Sequence, residues 1–463
     1  MMTTVRRTAL RTRRNAGRWL LTLGVLVAAA GLGYVALRLD ATYVLAAAVG
    51  IPAVIMLATT TALGVPAMVL AALVVRFSLP TGTESRIVAS LLFTAVMVVL
   101  WIMRMVLVER RLSLRPSRAN APLAAFVGVT IVSYVWSNAF RDPMVVAWRT
   151  WPLVQLAALA VIVLLPGAFW LTANLLPNRR WIEALVVLFI VAGIVTIIKD
   201  YAALPLGFLQ VRPLFPTWFA ALAAGQGLYN RRLPIAVRGL LLFAVAAHLY
   251  YLVFGIMSWV SAWLPTALAL MVVVALRSRP LLILTIIIAL LFVATNIDYL
   301  QIALAEEQET SLFTRLDAYG TNWRVTGKHL LFGTGPAGYA VYYMSYFPEM
   351  AMATHSNYLD IISQTGILGL LAFLAFLVAM GRLAVDLGRD THHRRDFAEG
   401  FTAAFAGGLA GTVVAAALGD WVLPFVYTQT IAGFDYALYT WVMLGAAQAL
   451  RYFVPTRNHE RSS

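Results

Sequence analysis

The sequence predicts an all-α, polytopic integral membrane protein of about 12 (12–14) transmembrane helices with one large helical loop on the outer face. Three observations carry that prediction. Of 463 residues, 61% are hydrophobic and 12% charged, with mean hydropathy +0.82; soluble chains run near 45–50% apolar and about 25% charged, and no water-soluble fold hides so much apolar surface. The apolar residues fall in runs near the length that crosses a bilayer, roughly 20 residues. The basic residues crowd into alternate connections between those runs.

The elements follow in order. Arg6, Arg7, Arg11, Arg13, Arg14 and Arg18 precede an apolar run from Trp19 to Leu37. Without a small-residue cleavage site, and with more runs behind it, this reads as a retained first span with a cytoplasmic start. Further spans are predicted near 43–58, 62–77, 87–108, 122–138, 153–173, 182–203, 213–229, 238–257, 260–276, 280–298, 357–382, 400–418 and 432–452. An even number of crossings puts both termini in the cytoplasm. On that layout 25 of the 35 basic residues lie inside, counting Arg104 and Arg382 at span ends, as the positive-inside rule requires. The net charge of +15 is therefore topological, and no long basic soluble segment remains for nucleic acid. Cysteine is absent, which excludes disulfides and thiolate chemistry.

Three regions result: a transmembrane bundle over 1–298, a large outer loop over 299–355, and C-terminal helices with a cytoplasmic tail over 356–463. Long loops in compact proteins are uncommon and often functional. This one holds Leu312-Phe313, Trp323, Leu330-Leu331-Phe332 and many tyrosines, so it is predicted to fold as short helices at the membrane surface.

His355 closes that loop, in Thr354-His355-Ser356-Asn357-Tyr358-Leu359-Asp360, just ahead of the apolar stretch 361–380. Thr354 or Ser356 is expected as N-cap, and the helix N-terminus favours a neutral ring able to accept a proton. A capping, interfacial histidine is the plainer reading of the same position. The outer cations Arg141, Arg149, Lys199, Arg212, Arg315, Arg324 and Lys328 run against the positive-inside bias, and arginine forks suit phosphate oxygens. Arg212 sits between broken-helix signals in Gln210-Val211-Arg212-Pro213-Leu214-Phe215-Pro216, and irregular backbone at membrane depth is tolerated where it lines a cavity. Lipid headgroups or the nearby acids Asp142, Asp200, Glu306, Glu307 and Glu309 would also satisfy these cations. HExxH, P-loop and dinucleotide signatures are missing, no acidic cluster suggests a metal site, and ionisable groups inside the spans are too few for an ion-coupled transporter.

From Arg315 the sequence resembles the O-antigen ligase family. The matching pieces are Arg315, Trp323-Arg324, Leu330-Leu331-Phe332-Gly333-Thr334-Gly335-Pro336-Ala337-Gly338-Tyr339, then His355-Ser356-Asn357-Tyr358-Leu359 and Gln364-Thr365-Gly366-Ile367-Leu368-Gly369. They cover roughly 55 residues, and Arg212 upstream is similar to the family's external arginine. Where relatives often carry Ser-Arg-Gly, this chain reads Met257-Ser258-Trp259-Val260-Ser261, which shifts that phosphate contact onto Arg141, Arg149 or Arg324.

The resemblance implies a fold like that of GT-C type glycosyltransferases and a metal-independent, cofactor-free transfer at the periplasmic face of the bacterial inner membrane. The donor would be undecaprenyl diphosphate-linked O-antigen and the acceptor the lipid A-core oligosaccharide. His355 would be the general base. Arg212, Arg315, Arg324, Lys328, Arg141 and Arg149 would hold the diphosphate, and Tyr339, with Tyr342, Tyr343 and Tyr346, would stack on sugar or form a belt of aromatics at the membrane interface. An O-antigen polymerase and a protein-glycosylating ligase share the donor. A lipid-linked oligosaccharide flippase would also need a cationic cavity, but transporters of that kind usually show internal repeats, and none is visible here.

Overall fold

Apolar runs form helices here because a helix satisfies every backbone polar group internally, as the hydrocarbon core demands. The computed structural model describes residues 60–455 apart from 81–85, 148, 210, 212–213, 256–259, 299–300, 303–312 and 348–353. The two earliest predicted spans and Arg212 lie outside the described residues. A 3₁₀ turn, Thr61–Leu63, leads into α1 (Gly64–Val74), followed by a short antiparallel hairpin of β1 (Ser78–Pro80) and β2 (Arg86–Val88) with Leu79 opposite Ile87. Then come α2 (Ala89–Met103), prolonged by a π-turn over Arg104–Val108, α3 (Asn120–Ala139), α4 (Trp151–Leu175) and α5 (Arg179–Tyr201). Next are α6 (Leu214–Tyr229), α7 (Ile235–Gly255), α8 (Val260–Arg277) and α9 (Arg279–Thr295). The long connection after α9 contributes α10 (Phe313–Thr326) and α11 (Gly338–Tyr346), before α12 (Asn357–Thr391), α13 (Phe397–Leu418), the single turn α14 (Val426–Gln429) and α15 (Gly433–Leu450).

Eight described helices are long and apolar enough to cross a membrane: α2 with its π-turn, α3, α4, α5, α7, α8, α12 and α13. The predicted spans from 62–77 onward overlie observed helices with ends shifted by a few residues. The largest shift is in α12, which runs on to Thr391, beyond the apolar stretch. The bundle is centred on α6, α13 and α15. Every residue of α15 except Tyr436 is buried, and every residue of α6 except Pro216 and Leu228. Glycine lets these helices approach closely, as is usual between apolar helices in lipid: a Cβ at Gly225 would collide with the Gly400 carbonyl, and one at Gly445 with that of Phe169.

Contacts between sequence-distant helix ends sort them onto two faces. On one, the Arg115 guanidinium donates to the carbonyls of Ala173 (2.8 Å) and Leu176 (3.0 Å), Ser117 donates to Gln448 (2.8 Å), and Arg179 pairs with Asp396 (2.9 Å). On the other, the Arg76 Nε donates to Phe208 O (2.5 Å), Val146 N–H donates to Ser345 Oγ (3.0 Å), and Asn357 donates to Leu423 O (2.5 Å). The second face carries His355.

Candidate active site

Two stretches of the family-like motif lock together. Inside α12 the helix breaks at Gly366 (φ +70°), which frees carbonyls of the preceding turn. The turn after α10 fills the break: Thr334 N–H donates to Ser363 O (2.8 Å), Gly335 N–H to Gln364 O (2.9 Å), and Ile367 N–H to Leu330 O (2.7 Å). Gln364 returns the contact, its side-chain oxygen accepting from Ala337 N–H (2.7 Å), and Ser133 of α3 donates to Gln364 O at 2.6 Å. Gly366 and Gly333 (φ +68°) are required by both dihedral and space, since a Cβ at either would run into the other segment's backbone. Gly333 and Gly366, both in the stretches that resemble the family, are thus the clasp that seats α11 beside the His355 end of α12.

His355 lies at that end, in the left-handed region (φ +47°), which non-glycine residues seldom occupy. Its ring is half-exposed, and Nδ1 stands 3.6 Å from Oδ1 of Asp420, whose side chain is buried. This is ion-pair range but longer than a direct hydrogen bond; such contacts often tighten only when substrate arrives. Asp420 reaches His355 because Asn357 pins the segment after α13: its Oδ1 accepts from the N–H groups of Val422 (2.9 Å) and Leu423 (3.3 Å) while its Nδ2 holds Leu423 O. Gln429 adds a bond to Asp420 O (3.2 Å), and Trp441 one to Val422 O (2.8 Å).

The expected cap is corrected by the structure. Ser356 holds the N-cap position without a side-chain capping bond, and Thr354 Oγ1 donates instead to Asp360 Oδ1 (2.5 Å). A carboxylate is the stronger acceptor for that hydroxyl, and in the first turn it also suits the helix dipole. Asp360 is buried, its Oδ2 lacks a partner, and it interacts electrostatically with Asp420 and Tyr339. Asp360 thus lies near Asp420, the acid that faces His355.

Around α11 the tyrosines form a second cluster. Tyr346 donates to Asp142 Oδ2 (2.5 Å), and Tyr342 Oη accepts from the Asp142 N–H (3.1 Å). His329 packs edge-on against Tyr342, and Lys328 Nζ stands 5.3 Å from the Tyr346 ring centre. The hydrogen bond from Tyr346, with that from the Met144 N–H, holds Asp142 below the usual carboxylate range and pushes the Tyr346 phenol up to about 12. Burial lowers the His329 imidazole; Asp142 opposes that and Lys328 adds to it.

Of the residues singled out in the sequence, Lys328 and Arg141 meet this tyrosine cluster, Arg141 through its field on Tyr342. Tyr339 is fully buried beside Asn322, Tyr343 and Phe425, which places it inside the wall and takes its ring away from an exposed stacking surface. Arg149 and Arg324 are exposed, and no contact joins them to His355. Arg315 starts α10 by its backbone, its side chain lying outside what is described, and Arg212 is outside altogether. Asp420 and Asn357 were not anticipated as a pair; their only sequence signal is a buried-type Asn after His-Ser and a Gly-Asp step at the end of an apolar run. No three His, Asp or Glu side chains gather as a metal site among the described residues.

A search of curated proteins returns no match. Residues 235–374, spanning α7 through the break in α12 and including His355, match the family described as O-antigen ligase, so the segment that builds the His355 end of this site is similar to that family.

Proposed function

We propose that the protein is an O-antigen ligase, moving a polysaccharide en bloc from undecaprenyl diphosphate to lipid A-core oligosaccharide at the periplasmic face of the inner membrane, with both termini cytoplasmic. The observation that carries the reading is the His355–Asp420 pair inside and beside the family-matched segment. With Nδ1 turned to Asp420, the other ring nitrogen, Nε2, is the one to take the proton of an acceptor hydroxyl. That oxygen forms a bond to the anomeric carbon as the bond from carbon to diphosphate oxygen breaks. Asp420 stabilises the imidazolium that results, in the manner of a base-orienting carboxylate. The diphosphate leaves against fixed cations, for which Arg212, Arg315, Arg324, Lys328, Arg141 and Arg149 are the candidates.

The test is transfer by purified protein supplied with both lipids in EDTA, beside His355→Ala. Wild type should give slower-migrating lipopolysaccharide, and the variant should insert and melt normally but lose on the order of 10²–10⁴-fold in rate. Normal transfer by the variant would sink the assignment of the base, and rescue by a divalent ion would refute metal independence. Lengthening of the lipid-linked glycan over bare lipid A-core would identify a polymerase.

A further inference from the structure

The face opposite His355 holds a cavity of about 530 Å³ that the transfer reaction does not use. It forms because α5 and α7 touch at the His355 end, where Tyr201 Oη donates to Ala247 O (2.8 Å) and Tyr201 stacks near Tyr250. They splay toward the other face, and the end of α6 and Phe397 close the gap between them. The walls are aliphatic: Ile190 and Leu241 are buried at the back, while Val187 and Leu240 are 57% and 56% exposed at the sides. The opening is therefore lateral, toward the space the bilayer fills.

The mouth is cationic. Arg179 and Arg232 line it, and the Arg232 side chain is 74% exposed, only brushing Asp396 at 4.0 Å. Arg394 reaches the same Asp396 (3.8 Å), and Arg231 is bound main chain to main chain with Arg395 (3.0 Å). The charged side chains that line the cavity are two guanidiniums, Arg179 and Arg232, and one carboxylate, Glu183, which Arg179 engages. An apolar slot open sideways, with a surplus of guanidinium at its membrane-surface end, matches one ligand chemistry: a phosphate head carrying an acyl chain.

We propose that this crevice binds an anionic phospholipid, with an acyl chain between α5 and α7 and the phosphate on Arg232. The commitment to a lipid rather than free phosphate rests on the aliphatic walls, which would contribute nothing to a soluble anion.

The test counts lipid retained by purified protein from an equal mixture of phosphatidylglycerol and phosphatidylcholine, using native mass spectrometry, with thermal melting to verify folding. Wild type should keep one phosphatidylglycerol about fivefold in preference to phosphatidylcholine. Arg232→Gln should erase the preference while keeping some of both lipids, and Val187→Trp, which fills the slot from an exposed position, should reduce both. Excess glycerol 3-phosphate should leave the bound lipid in place. Equal retention of the two lipids by wild type, unchanged preference in Arg232→Gln, or displacement by glycerol 3-phosphate would each overturn the proposal.

Discussion

Asn357 shows how one side chain sets up the chemistry of another. It satisfies two amides and one carbonyl of the segment bearing Asp420, so Asn357→Ala leaves three buried polar groups unpaired and is expected to cost about 1–3 kcal/mol of stability. It should also lower transfer by releasing Asp420, which a thermal melt paired with a rate measurement separates. Asp420→Asn keeps size and burial but removes the carboxylate that stands 3.6 Å from the His355 ring. The expected result is a rate loss on the order of 10²–10⁴-fold with a near-normal melting temperature and an altered pH–rate profile. A fall in melting temperature with an unchanged profile would make Asp420 structural. His355 was legible in the sequence because it ends the one long loop and opens a span. Asp420 was not, because it arrives from a separate helix end through main-chain contacts that leave no spacing signature.

At the level of elements, the apolar runs were readable because the bilayer imposes both their length and their composition. The clasp between the 333–335 turn and the break in α12 is not visible in the sequence, since carbonyl pairing between two segments has no local pattern. Gly366→Ala must adopt a left-handed backbone against the Leu331 carbonyl, and a destabilisation of about 1–3 kcal/mol is expected, with transfer lost as α11 detaches. The packing of α11 should also depend on pH. Because burial lowers the His329 imidazole, folding favours its neutral form, and the unfolded chain binds the extra proton. The contribution is therefore complete above the ordinary histidine value and is lost as pH falls through the lowered one. Protection factors of the 338–346 amides, that is, exchange corrected for its intrinsic slowing with acid, should fall on acidification from pH 7, and His329→Gln should flatten that response.

For the whole molecule, composition and the apolar runs pointed to a polytopic helical protein, and eight described helices are long and apolar enough to cross a membrane. The internal order of the bundle could not be read the same way. The helices α6 and α15, which sit at its centre, are not among the eight segments that qualify as spans by length and hydropathy. The 16 residues of α6 fall short of the length such a span requires, while α13, equally central, qualifies, so a helix's span signal and its place in the bundle are independent. Arg179 illustrates the opposite limit: a cation counted as topological is also tied to Asp396 and Glu183, a role that only the folded bundle reveals.

The burial of α15 also bears on how the protein is made. Its sides are taken up by partners synthesised earlier, α4 and α6 among them, and Trp441 and Gln448 reach back to the segments after α13 and before α3. During translation the bundle therefore waits with its central position unfilled, exposing seams meant for a late arrival. Chains halted before Gly433 should accumulate as inserted but protease-sensitive species, and supplying residues 433–455 as a separate segment should restore resistance if assembly depends on that late helix.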